Sequence, residues 1–481
     1  MPQIESDDRT ITIRNVVIEV ERRGEKLIVP ETITYQEAIQ TLQRYIEQEN
    51  KVVAVSEQFH AFPPDGAHAL SLALQDMFGW VSLTSTPGFF GDSPPAMITV
   101  EVGPGITTQV PWGRMILPGL DGWIQTSTAA DNQGRIMFVM LGQVKRKAEG
   151  LFKELGNLVR KYLHEQSLYR GKAFRLRFRD DDGEPFEMPE PHFIDLAQVK
   201  EEELVFSKPV AAAIATSVFT PLEKTQECRD HQIPLKRGVL LAGAYGVGKT
   251  LAAYVTAKKA QENGWTFVYC EKSSELSDGI RLAQNYAPGV VFCEDVDRVT
   301  EGERDYAMDE LLNVIDGIDA KEQDIMVILT TNEVSNINQA MLRPGRLDDV
   351  IHITPPDAEA VERLIRLYGR GRIAEGPLPR AGEALAGKIP AVIRECLERA
   401  KLSAIRLTEP GEPLVITDEA LADAAFTMQM QIELLTPKAK DERSSMEKAA
   451  DRLGGHLVVA MRKEEVNKDG QTHPVVEHAR R

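Results

Sequence analysis

Residues 239–250 read VLLAGAYGVGKT and residues 251–260 continue LAAYVTAKKA. Val239, Leu240 and Leu241 form an apolar run of strand character that ends at Gly243. After four intervening residues come Gly248, Lys249 and Thr250, and a helix-compatible stretch follows. A strand, a glycine-rich loop, Lys-Thr and a helix in this order are the P-loop arrangement. Glycines let successive backbone N–H groups curl around phosphate oxygens, and the helix start adds partial positive charge. The pattern predicts phosphate contact over Gly243, Ala244, Tyr245, Gly246, Val247, Gly248, Lys249, Thr250 and Leu251. Lys249 brings a point charge to the β- and γ-phosphates of ATP, and Thr250 a hydroxyl to Mg2+.

Working outward, a P-loop needs a second strand that ends in acids. Residues 288–297, PGVVFCEDVD, supply Glu294, Asp295 and Asp297 after an apolar run. One acid is expected in the Mg2+ shell and its neighbour as the group that polarises water. A third strand, DIMVILTTN over 324–332, ends at Asn332, whose amide is suited to orienting that water. Then NQAMLRPGRLDD over 338–349 presents Arg343 and Arg346 around a Pro-Gly turn. Arginine is the side chain suited to bidentate phosphate contact.

These parts, in this order and with LLNVIDGI between the second and third, resemble the AAA family of ring-forming ATPases over about 205–435. The resemblance implies an α/β fold: a P-loop NTPase parallel αβα ATPase domain with a small helical lid. It makes Asn332 the first sensor, and Arg343 and Arg346 arginine fingers that reach a neighbouring subunit's γ-phosphate. Active sites at subunit interfaces imply a homo-oligomeric ring, hexameric or heptameric, with an unknown protein substrate. Residues 382–406 and 416–428 resemble the lid, and Tyr368 falls where many relatives carry an adenine-proximal histidine.

Two departures narrow the reading. Most of the family ends the second strand in Asp-Glu, whereas this chain has Glu294-Asp295. Glu294 then takes the metal role with Thr250, and Asp295, one methylene shorter, the water-polarising role. The segment EKSSELSDGIRLAQNYAP, 271–288, also lacks the aromatic-glycine step with which threading relatives grip a polypeptide. Both departures resemble the branch containing the mitochondrial AAA protein that moves the folded Rieske iron–sulfur subunit. They suggest ATP-driven work on a folded partner rather than threading. A slow nucleotide-gated binding module is the alternative.

The expected boundaries are an α+β N-terminal domain over 1–200, the large ATPase subdomain over 201–358, the lid over 359–436 and a charged tail over 437–481. In the first part, alternation predicts a strand over 10–20, and further signals a helix at 35–49, a strand at 51–59 and a helix near 66–79. Helical spacing is read over 144–163, with a basic run Lys145, Arg146, Lys147 as a solvated face. Two extended segments around DDDGEP predict a hairpin.

The 481 residues carry 73 acids against 56 bases, a formal charge of −17, which argues against a nucleic-acid motor. Between Glu294 and Asp324 stand twelve acids and three bases, so nine of those charges lie in one stretch. Its part at 299–307 resembles a channel-lining loop of the family. Cys228, Cys270, Cys293 and Cys396 have no metal-ligand spacing and read as reduced thiols, hence a cytoplasmic setting. No apolar run approaches about 18 residues, so no membrane span is expected. His164-Glu165 lacks the second histidine of a zinc protease, since Leu168 stands there.

Overall fold

The computed structural model describes residues 10–13, 16–20, 27–28, 34–79, 81–88, 91–94, 96–131, 134–179, 185–296, 324–333, 347–409 and 413–435. The chain opens with β1 (Thr10–Ile13), β2 (Val16–Val20) and β3 (Leu27–Ile28), a small antiparallel sheet. The single strand expected over 10–20 is thus two, paired from Ile13↔Val16. Period-two alternation marks strand character but not the point where the chain reverses. Helix α1 (Tyr35–Glu49) begins in a capping box between Thr34 and Glu37.

Next come β4 (Val52–Phe59), α2 (Pro63–Phe78), β5 (Ser82–Thr84), β6 (Thr86–Gly88), β7 (Gly91–Ser93), β8 (Ala96–Gly103), β9 (Ile106–Trp112), β10 (Arg114–Ile116), β11 (Gly122–Ala130), β12 (Ile136–Lys145) and α3 (Glu149–Glu165). Five of these strands build an antiparallel sheet in the order β4-β12-β11-β10-β5, with α2 and α3 packed together beside it, while β6-β7 and β8-β9 pair as two-stranded sheets. Gly66 of α2 lets helix meet sheet: a Cβ there would lie 2.1 Å from the Phe138 ring on β12. The helix expected from 144 starts instead at Glu149, after a 3-10 turn over Arg146–Ala148. Val144 is fully buried in β12 between Val53 and Gly122, so its apolar character serves the sheet. Lys145 and Lys147 pair with Asp121, and Arg146 with Glu149.

Then β13 (Ala173–Arg179) and β14 (Pro185–Phe193) form the expected hairpin; DDDGEP lies outside the described residues apart from its last proline. The second half follows with α4 (Lys208–Ile214), α5 (Thr220–Glu223), α6 (Thr225–Asp230), β15 (Arg237–Ala242), α7 (Lys249–Glu262), β16 (Thr266–Cys270), α8 (Leu276–Asn285), β17 (Gly289–Cys293), β18 (Ile325–Thr331) and β19 (Asp349–His352). Its sheet has the order β14-β13-β16-β17-β18-β15-β19, parallel throughout except for β14. This is the doubly covered α/β P-loop NTPase fold, preceded by an α+β region. The sheet crosses the expected boundary at residue 200, because β13 pairs with β16.

One face of this sheet carries Val268, Cys270, Val291, Cys293, Val327 and Leu329 in the same core as Phe62, Phe138 and Leu155 of the first half. The opposite face, with Val239, Phe267, Phe292 and Ile328, packs on α7 and the segment around α4. Helices α9 (Ala358–Gly369), α10 (Pro379–Leu385), α11 (Pro390–Leu407) and α12 (Asp418–Leu435) enclose a third core, the lid. No helix among the described residues is long and apolar enough to cross a membrane.

Candidate nucleotide site

The loop Gly243–Gly248 lies at the carboxyl end of β15, between the ends of β18 and β19. In open parallel sheets this edge is where ligands bind. The Gly243 N–H donates to Thr331 O at 3.1 Å and Ile353 N–H to Ala242 O at 2.7 Å, which anchors the loop's start. A Cβ on Gly243 would stand 2.4 Å from Ile353 O, so only glycine fits. Gly248 has φ +106, a left-handed conformation that lets the chain turn from loop into α7. Tyr245 and Thr250 are exposed, while Val247 is buried and holds the loop to the core.

Lys249 is largely buried. Its Nζ donates to Gly243 O at 2.7 Å, to Ala244 O at 3.1 Å and to Asn332 Oδ1 at 2.8 Å. Asn332 in turn donates from Nδ2 to Asp295 Oδ1 at 2.7 Å. Three residues from three strand ends therefore form one chain of hydrogen bonds: loop lysine, strand-end amide, carboxylate. The turn carrying Asp295 is pinned to β18. The Asp295 N–H donates to Thr330 Oγ1 at 3.0 Å and the Val296 N–H to Thr330 O at 3.0 Å. Asp295 has φ +46, a conformation uncommon for a residue with a Cβ and frequent at functional turns.

Glu294 is placed differently from its neighbour. Its N–H reaches Cys270 O at 3.4 Å, and its Oε1 is buried without a hydrogen-bond donor. A buried carboxylate oxygen left so is costly unless a cation completes it, and an oxygen donor of this kind suits Mg2+. The donor set thus fits a magnesium nucleotide. Burial, then the Glu294 charge, push the proton loss of Tyr269 well above the usual phenol range. All four cysteines are free and buried. Burial pushes the Cys270 and Cys293 thiols up, which makes them packing groups rather than nucleophiles.

Two side chains that sequence reasoning missed flank the loop. The Phe206 ring lies 3.4 Å from where a Cβ on Gly248 would stand, and Ile389 of the lid lies 3.2 Å from one on Gly246. Their signal was a lone aromatic in the charged KEEELVFSKP and an Ile-Pro step before α11. Val205 packs on the lid core and Phe206 on the large core, and Arg363 of α9 donates to Phe206 O at 2.6 Å. This segment therefore joins the two subdomains beside the phosphate loop. Tyr368 is half-buried against the lid core, with the Arg394 guanidinium 4.5 Å over its ring. The structure brings Lys249, Asn332 and Asp295 together. Arg343, Arg346, Asp297, the acidic stretch 299–307, LLNVIDGI and the tail beyond 435 lie outside the described residues.

Comparison with known proteins agrees with this geometry. Residues 239–355 match the ATPase family associated with various cellular activities (AAA). A 26S proteasome regulatory subunit 4 homolog of Schizosaccharomyces pombe is 35% identical over 170 residues, 32% of this chain and 38% of that protein. A cell division cycle protein 48 homolog of Archaeoglobus fulgidus is 28% identical over 277 residues, 53% of this chain and 37% of that protein. A 26S proteasome regulatory subunit 8 homolog of Schizosaccharomyces pombe is 31% identical over 195 residues, 36% of this chain and 48% of that protein. The chain spans less than half the length of each of these relatives.

Proposed function

We propose that the chain, through the AAA ATPase domain around residues 239–355, hydrolyses ATP and uses the cycle to remodel or displace a protein partner. The observation that carries this reading is the hydrogen-bonded chain Lys249–Asn332–Asp295 at the mouth of a glycine loop. ATP with Mg2+ supplies the phosphoanhydride to be cleaved and the cation that offsets its charge. Lys249 holds the phosphate end, with Thr250 and Glu294 as the cation's protein ligands. Asn332 fixes the direction of the Asp295 carboxylate, which takes the proton of the attacking water.

Arg343 and Arg346 act on a neighbour's site, so the working form is a ring of six or seven copies, and the first 200 residues choose the partner. The Glu271–Glu275 connection runs through a 3-10 turn straight into α8. With no aromatic-glycine step there, action on a folded partner is favoured over threading. That is the branch resembling the Rieske-protein translocase, placed here in the cytoplasm. The formal charge of −17 argues against nucleic acid as the partner.

The test is ATP turnover against protein concentration. Wild type should gain specific activity as copies assemble, and Lys249→Ala and Arg343→Ala should each lose most of it. A rate independent of concentration, or normal turnover in either variant, overturns the reading. A second reading, a slow nucleotide-gated binding module, is favoured by the short, left-handed Asp295. There Asp295→Asn traps the ATP-bound assembly on its partner, and equal partner binding with and without ATP refutes it.

A further inference from the structure

We infer that Tyr269 is a positioning residue for Glu294, and that Arg175 on the N-terminal hairpin sets Tyr269. The inference rests on the nucleotide reading above and deepens it. Parallel pairing of β13 with β16 puts Arg175 directly beside Tyr269, and pairing of β16 with β17 puts Tyr269 beside Phe292, two residues before Glu294. Tyr269 is confined on both sides. Its ring stacks on Phe292 at 5.9 Å and 10°, and on Tyr254 of α7 at 6.3 Å and 22°. Tyr254 lies one helical turn beyond Thr250, on the helix that starts at the phosphate loop.

Such a ring has little freedom to swing, and it is held on the side of the sheet that Glu294, two residues beyond Phe292, continues. The arrangement differs from an ordinary core tyrosine, which points its hydroxyl to solvent or to backbone. Here the neighbour is Glu294, whose carboxylate is the one among the described residues with an oxygen buried without a donor. Outer groups of this kind orient a metal-binding carboxylate and tune its affinity.

Arg175 completes the wall from the N-terminal side. Its guanidinium lies 4.9 Å over the Tyr269 ring, donates to Glu271 just past β16, and reaches the Tyr254 hydroxyl at 3.4 Å. A cation over a ring and two bonds to flanking residues couple the hairpin's position to that of the tyrosine. Displacement of β13 by a partner bound to the first half would therefore be felt at the metal ligand.

The experiment measures binding of a fluorescent ADP analogue to full-length protein, in EDTA and across a Mg2+ titration. Tyr269→Phe should leave affinity in EDTA within about twofold of wild type and raise the half-saturating Mg2+ about tenfold, the lower end of the effect expected when a group that orients a metal ligand is removed. Arg175→Gln should raise it about threefold, and Arg175→Lys should restore part of that. Thermal melting establishes that each variant is folded. If Tyr269→Phe does not fold, Arg175→Gln decides alone. Folded variants with the Mg2+ requirement of wild type overturn the inference and leave the nucleotide reading intact. Wild-type affinity that ignores Mg2+ overturns both.

Discussion

Strands β16, β17 and β18 are buried at every residue, whereas β4 alternates between exposed and half-buried positions over most of its length. The first three are covered on both faces by helices or by the other half of the chain. Their side chains are committed to packing, so polar chemistry is displaced to their carboxyl ends. One residue per strand end then suffices: the loop after β15, Glu294 and Asp295 after β17, Asn332 after β18. The antiparallel sheet has a face left to solvent and no such concentration of chemistry. Its role is expressed through contacts with the neighbouring half.

Those contacts are extensive. Asp65 of α2 is fully buried and accepts from the Leu168 N–H and the Ser167 hydroxyl, each at 2.7 Å. The Tyr286 hydroxyl, just past α8, accepts the Phe62 N–H at 2.8 Å. Tyr169 packs its ring against Phe62, Phe174, Phe193 and Tyr286. Arg170 donates to Ala287 O at 3.0 Å and Asn285 O at 3.3 Å. The two sheets thus differ in chemistry but share a core, and should unfold together.

Gly66→Ala is the strongest challenge to that joint behaviour. Its new methyl meets the buried Phe138 ring, and overpacking of this kind costs about 3 kcal/mol. Calorimetry should show one transition moved down as a whole; two separate transitions would mean the halves are independent. Asp65→Asn tests the junction by pH. Burial, opposed in part by its hydrogen bonds and Arg170, pushes the carboxyl up from 3.8 to about 6. The folded state then holds a proton that the unfolded chain gives up. Stability from this group is complete below about pH 4 and is lost as pH rises through about 6. The gap is worth at most about 3 kcal/mol. Denaturant titrations at pH 4 and pH 7 should show this loss in wild type and not in the variant.

Tyr286→Phe leaves the Phe62 N–H without its acceptor and should cost about 2 kcal/mol in the same assay. The smallest effect is Lys147→Ala. Its half-exposed pair with Asp121 is screened by solvent, and neither stability nor nucleotide binding should respond measurably.

The residues that carry the phosphate loop were legible because they are contiguous. Gly243 to Thr250 form one local structure whose backbone needs cannot be met otherwise. Glu294, Asp295 and Asn332 were legible because each ends an apolar run of strand length. Val144 misled for the opposite reason: helical spacing continued through residues whose burial belongs to a sheet. Phe206 and Ile389 were missed because nothing local marks them; each acts by lying over a loop about 40 or 140 residues distant in the chain.

By itself, the sequence determined the P-loop fold, the glycine loop after one strand and the strand ends that carry Glu294, Asp295 and Asn332. These depend on local backbone geometry and on strand-length apolar runs, which short-range spacing encodes. Only the tertiary structure decided that β13 extends the ATPase sheet, that Asp65 and Tyr286 fasten the halves and that Arg175 stands against Tyr269. Those depend on which strands become neighbours. Strand order is set by the burial of whole faces, a sum over distant residues that no single stretch of sequence contains.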